Sequence, residues 1–117
     1  MRILFDVSGT VLGMADMTPR PGIKETIETL RNFGNAVDFW TGGPTSEYSF
    51  ILSQHGIDGT VYSKNNPLPF VPDICVDDDH LDYLSCKVVV VPRYIGGNSP
   101  HMEIKASALL STSDLRK

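Results

Sequence analysis

A chain of 117 residues with a formal net charge of -4 has the size of one domain, and a chain of that size buries about two-thirds of its unfolded surface without staples. The acidic balance and the lack of any basic cluster exclude a general nucleic-acid surface, which has to displace counterions from phosphates. No apolar stretch approaches the roughly 20 residues of a membrane span, and the N-terminus lacks the long apolar region of a signal peptide.

Taken in order, the chain alternates strand and helix. Ile3-Leu4-Phe5 is apolar without polar alternation, the pattern of a short strand covered on both faces. It stops at Asp6, and Gly9 permits a sharp turn. In an open α/β sheet, ligands bind in the crevice outside the carboxyl ends of the strands, so a carboxylate there is aimed at the occupant. A polar turn that merely closes a strand has the same composition, and the later strand ends decide between the two. Gly13 to Thr18 reads as a short connection, ended by Pro19-Arg20-Pro21-Gly22. The first helix is expected from Pro21 to Phe33, with Pro21 at the first helical position and Gly34 as its stop. Ile23, Ile27 and Leu30 form its apolar stripe, and Lys24, Glu25, Glu28 and Arg31 its solvated face.

Ala36 to Trp40 is the second strand, followed by Thr41-Gly42-Gly43-Pro44. A hydroxyl and glycine amides ahead of a helix start suit an anion, although a plain turn uses the same residues. The second helix covers Thr45 to His55, with Tyr48, Ile51 and Leu52 inward, Gly56 as its stop and His55 structural. Thr60 to Ser63 is the third strand, ending at Lys64, whose amine on its own reads as a solvated surface group. Asn65 to Pro69 is loop. Asp73 to Val76 is the fourth strand, ending in Asp77-Asp78-Asp79. Adjacent carboxylates repel one another, but after a buried strand and opposite a second strand-end carboxylate they suit a hard divalent cation. Lys87 to Val91 is β-branched, as a central or covered parallel strand is. Arg93 to Pro100 reads as loop, His101 to Leu110 as a modest helix, and Ser111 to Lys117 as a frayed end. Cys75 and Cys86 lie in apolar contexts without zinc-type spacing and read as buried free thiols, which fits a reducing cytoplasm.

The order of the polar strand ends, Asp6, then Thr41, then Lys64, then Asp77-Asp78, resembles the haloacid dehalogenase-like (HAD) superfamily across nearly the whole chain, from Arg2 to Pro92. In that family the first strand ends in D-x-D-G-T, the second in Thr or Ser, a lysine follows, and a later strand ends in paired aspartates. A response-regulator receiver domain uses similar residues in a different order. The resemblance implies a three-layer, Rossmann-like α/β fold without a cap domain. Its five-stranded, mostly parallel sheet is expected in the order 5-4-1-2-3, with helices on both faces. Residues 1–117 form one domain on this reading, with a core at about 2–95 and a tail from 96 to 117.

By the same resemblance Asp6 is the nucleophile, Thr41 and the Gly42 amide bind phosphate, and Lys64 neutralises it. Magnesium is held by Asp6, the Ser8 carbonyl, Asp77 and Asp78. The implied activity is magnesium-dependent hydrolysis of a phosphorylated substrate through an aspartyl-phosphate; the free thiols add the expectation of a cytoplasmic location, and the charge and hydropathy pattern that of no nucleic-acid or membrane partner. One position departs from the pattern. Family phosphatases carry a second Asp, the general acid and base, where this chain has Ser8. Such catalysis is typically worth about 10²–10⁴ in rate, so turnover is expected to be weak unless Asp16 or Asp79 substitutes. The alternative is a degenerate member that binds a phosphorylated ligand or partner without turnover.

Overall fold

A computed structural model describes residues 1–97 and 100–110. The end of the Arg93–Pro100 loop at Asn98-Ser99 and the Ser111–Lys117 segment lie outside the described residues. Five strands, β1 (Arg2–Asp6), β2 (Ala36–Thr41), β3 (Val61–Ser63), β4 (Ile74–Asp77) and β5 (Lys87–Val90), form one sheet in the order β3-β2-β1-β4-β5. Every neighbouring pair is parallel. Three helices accompany them: α1 (Ile23–Asn32), α2 (Thr45–Gln54) and the one-turn α3 (Ala106–Leu109). No described helix is long and apolar enough to cross a membrane.

The chain moves outward through β1, β2 and β3, then returns past β1 to add β4 and β5 on its other side. Parallel crossovers are right-handed, so reversing the direction of travel moves the connections to the opposite face of the sheet. The reversal makes the gap between β1 and β4 the switch point, where two connections leave in opposite directions and a crevice opens.

The two faces are covered differently. Ile3, Phe5, Val37, Phe39, Ile74 and Val76 pack on Ile23, Ile27 and Leu30 of α1 and on Leu52 of α2. On the other face Leu4, Trp40 and Cys75 are covered by Leu68 and Phe70 from the β3–β4 connection and by Leu81, Leu84 and Cys86 from the β4–β5 connection. The three-layer arrangement with helices on both faces is therefore corrected: α1, α2 and the tail share one face, and loops cover the second. The reason lies in the connections, which span only 64–73 and 78–86; the first is broken by Pro67, Pro69 and Pro72. A helix needs free backbone N–H groups, and prolines remove them.

Both long helices stop where the sequence places their ends. Gly34 and Asn35 donate backwards to Arg31 and Leu30, and Gly56 and Ile57 do the same to Ser53 and Leu52, satisfying carbonyls that the helix leaves open. The start of α1 differs from expectation. Pro21 lies outside the helix, and Gly22, with φ +76°, is the N-cap. A Cβ on Gly22 would stand 2.5 Å from the Ile104 carbonyl, so the returning tail dictates glycine there. Ile104 N–H donates to the Pro21 carbonyl, and Thr26 Oγ1 donates to the Ile104 carbonyl.

The tail joins the core, since Ile104, Leu109 and Leu110 are all buried with the α1 face. The expected helix over His101–Leu110 is instead a 3-10 turn at Pro100–Met102 and the single turn of α3. β5 is an edge strand rather than a covered one, with Val88 and Val89 half-buried and Val90 exposed.

Candidate functional site

Side chains alternate along a strand, so Asp6 shares the face of Leu4, and Asp77 that of Cys75. Asp6 is in register with Trp40, and Lys64 lies directly past the end of β3. These residues meet at the carboxyl ends of β1 and β4, at the switch point. Lys64 Nζ donates to Asp6 Oδ1 at 2.9 Å and to Asp77 Oδ2 at 3.0 Å. Thr10 Oγ1 donates to Asp6 Oδ2 at 3.1 Å, and the Asp79 N–H donates to Asp77 Oδ1 at 3.0 Å. Each oxygen of the two buried carboxylates thus has one donor. Asp78 is turned toward Arg93, whose Nε donates to it at 2.7 Å. Asp6, Asp77 and Asp78 each offer an oxygen, and the three oxygens lie within 4.8 Å of one another.

A tight turn after β1 makes this approach possible. The Val7 carbonyl accepts from the N–H groups of Thr10, Val11 and Leu12, while Gly9 N–H donates to Leu12. Gly9 has φ +86°, and a Cβ there would stand 2.5 Å from Asp78 Oδ2. Only glycine fits both the backbone and the space. Among the described residues, no N–H group donates to the Ser8 carbonyl.

The charges are strained by their surroundings. Burial, with help from Asp77 and Asp78, pushes the Asp6 carboxyl up to about 7 against the pull of Lys64. Burial likewise raises Asp77. Burial also acts on Asp78, but hydrogen bonds from Arg93 and from its carboxyl neighbours outweigh it and hold Asp78 below the usual range. Lys64 stays firmly charged, because Asp6 and Asp77 overcome its desolvation. Three carboxylates face one half-buried ammonium and one exposed guanidinium, and burial raises the carboxyls of Asp6 and Asp77. Three convergent carboxylate oxygens are a hard-oxygen donor set of the kind a small divalent cation takes. Asp6, Asp77 and Asp78 could together hold a metal ion.

Asp6, Lys64, Asp77 and Asp78 are brought together as the sequence expects. Ser8, two residues past Asp6, is half-buried. Thr41 is buried at the end of β2, where its Oγ1 accepts from the Gly43 N–H at 3.1 Å. Gly42 is exposed, and a Cβ there would meet nothing within 4 Å. Thr41 and Gly42 sit on the neighbouring strand end and make no hydrogen bond to the carboxylate cluster. The two candidates for the missing acid are occupied elsewhere. Asp16 accepts from the Thr18 N–H, the Thr18 hydroxyl and the Gly97 N–H, and these bonds, the Thr18 N–H first, hold it below the usual range. The Asp79 carboxylate is exposed and, among the described residues, meets only Arg93 Nη2, at 3.7 Å, while its backbone N–H serves Asp77.

Sequence reading missed three members of the site. Thr10 orients Asp6, Arg93 holds Asp78, and Trp40 lies with its ring centroid 5.1 Å from Lys64 Nζ. The signals were a hydroxyl four residues past Asp6, a cation just past β5, and an aromatic beside Thr41. The buried Trp40 Nε1 has no partner among the described residues. A concavity of about 370 Å³ lies between α1 and the tail, where Glu25, Glu103 and Lys105 join Gly22, Thr26 and Ile104 in the lining. It gathers no comparable chemistry, so the carboxylate cluster, not the volume, locates the site. The chain was compared with family models, curated proteins and solved structures, and no match was found in any of the three.

Proposed function

We propose that the crevice between β1 and β4 hydrolyses phosphomonoesters through an aspartyl-phosphate on Asp6, as a small capless member of the HAD superfamily. The observation that carries this reading is one ammonium, Lys64 Nζ, bonded to both Asp6 and Asp77 with Asp78 alongside. Magnesium would be held by Asp6, Asp77, Asp78 and the Ser8 carbonyl, and it supplies charge neutralisation at a phosphoryl oxygen. Asp6 attacks phosphorus, and the bond to the leaving oxygen breaks as the new bond forms. Thr10 fixes the carboxylate, Lys64 offsets charge on the transferring group, and Thr41 and the Gly42 amide receive its oxygens. Water then cleaves the acyl-phosphate and restores Asp6.

With Ser8 in place of an acid, Asp16 tied to Thr18 and Gly97, and Asp79 turned to solvent and Arg93, the leaving oxygen departs unprotonated. Aryl phosphates therefore suit this site better than alkyl phosphates, and breakdown of the acyl-phosphate limits turnover. The same observation favours the second reading, a phospho-ligand binding protein without turnover.

Initial rates on an aryl phosphate in magnesium separate the two. Asp6→Asn should abolish activity, and Ser8→Asp should raise it by up to about 10²-fold. A wild type without Asp6-dependent turnover, together with no gain from Ser8→Asp, leaves the binding reading.

A further inference from the structure

Cys75 lies within β4, 1% exposed, on the loop-covered face with Leu4 and Trp40. Cys86 is half-buried at the bend before β5, and both are free thiols. Their Sγ atoms stand 3.4 Å apart, with the Cys86 thiol directed at Cys75. The β4–β5 ladder begins at the Ile74–Lys87 pair, so Cys86 lies just outside it and is not clamped by ladder hydrogen bonds. Segment 78–86, which Cys86 ends, holds no helix or strand. It can follow a small movement of its last residue.

We propose that Cys75 and Cys86 are an oxidation site, a dithiol that a peroxide closes to an intramolecular disulfide around the Asp77-Asp78-Asp79 segment. A disulfide holds its sulfurs about 2.05 Å apart, so closure from 3.4 Å asks for a shift of roughly 1.4 Å, taken up at the Cys86 bend. Solvent reaches Cys86 and not Cys75, which sets the order of events. The Cys86 sulfur attacks the peroxide O–O bond and becomes a sulfenic acid, releasing one water with its thiol proton. The Cys75 sulfur then attacks Cys86 Sγ, and the hydroxyl leaves as a second water with the Cys75 proton. Two thiols and one hydrogen peroxide give one disulfide and two waters, with both electrons passing to the peroxide. The closed ring contains all three carboxylates of the acidic triplet and joins the start of β5 to the middle of β4.

The test treats the full chain with stoichiometric hydrogen peroxide, then unfolds it in a thiol-alkylating reagent and reads its mass. It needs no enzymatic activity, so its failure is distinct from failure of the phosphatase reading. No Lys or Arg separates the two cysteines, so both fall on the tryptic peptide 65–87. The expected product is that peptide lacking two hydrogens, carrying neither sulfur-bound oxygen nor alkyl label, and restored by dithiothreitol. Closing so short a loop should raise Tm on the order of 10 °C. In Cys86→Ser, Cys75 should remain a thiol under the same treatment.

Oxygen on Cys86 beside an alkylatable Cys75 would overturn the proposal. So would a crosslink between two chains, a fall in Tm on closure, or equal oxidation of Cys75 in Cys86→Ser. Should Cys86→Ser fail to fold, Cys86→Ala gives the same reading.

Discussion

Asp6 keeps its proton in the folded chain to about 7, because burial outweighs the donors that meet its oxygens, while the ordinary value is 3.8. The folded chain therefore binds more protons than the unfolded chain between those values. The resulting stabilisation is complete below the unfolded value and is lost as pH rises through about 7. Shared over the coupled carboxylates, the effect is on the order of 2–4 kcal/mol. Without divalent cation, Tm should fall across this window in the wild type, and Asp6→Asn should flatten the fall. That variant should be at least as stable as wild type on the alkaline side, since it removes a buried charge without emptying the space. A fall of the same steepness in Asp6→Asn would assign the pH dependence to another group. A buried carboxylate whose charged form costs stability is what the proposed nucleophile requires, and on that proposal Ser8 limits turnover.

At the scale of elements, glycines separate strain from crowding. Gly22 and Gly34 have similar left-handed backbones, φ +76° and +87°. Around Gly34 a Cβ meets nothing within 4 Å, whereas at Gly22 it strikes the Ile104 carbonyl. Gly34→Ala should cost only the left-handed backbone, about 1 kcal/mol. Gly22→Ala should cost roughly 2–4 kcal/mol, because the tail must also move. Equal losses by denaturant titration would mean that the tail yields freely. The same pair shows what the sequence made legible. Gly34 and Gly56, with Asn35 and Ile57 after them, stop helices through bonds to residues three to five positions back, and the five strands announce themselves as apolar runs. Local chemistry could be read from local residues. Gly22 answers to Ile104, some 80 positions away, and nothing near it in sequence says so. The same blindness explains β5, where a β-branched run reads as covered yet ends up at an edge. It also explains the loop-covered face: the prolines of 64–73 already denied that connection a helix, and the expectation of helices on both faces came from resemblance, not from those residues.

Across the whole molecule, the net charge is only -4, yet three carboxylates converge at a single sheet edge. The topology is responsible. Asp6 and Asp77 end adjacent parallel strands, and reversal of the connections between them leaves no helix to cover the gap. Lys64 and Arg93 relieve part of the repulsion, and a divalent cation would relieve the rest while displacing the proton held near neutrality. Magnesium should therefore stabilise the fold by mass action, by about 2.7 kcal/mol at one hundred times its dissociation constant, raising Tm, and its affinity should rise with pH through about 7. Asp77→Asn should lose the response, whereas sodium chloride at equal ionic strength should not produce it. Binding has a built-in optical reporter. Trp40 is the only tryptophan, and its ring lies 5.1 Å from the Lys64 ammonium, which itself bridges the two carboxylates that would take the metal. A cation entering between Asp6 and Asp77 must compete with that ammonium, so Trp40 emission should change with the same midpoint as the Tm titration. In Lys64→Met the emission should already differ before any metal is added. A magnesium-dependent Tm shift in Asp77→Asn equal to that of wild type, with Trp40 emission unmoved, would put the cation elsewhere on the surface and empty the crevice of its proposed chemistry.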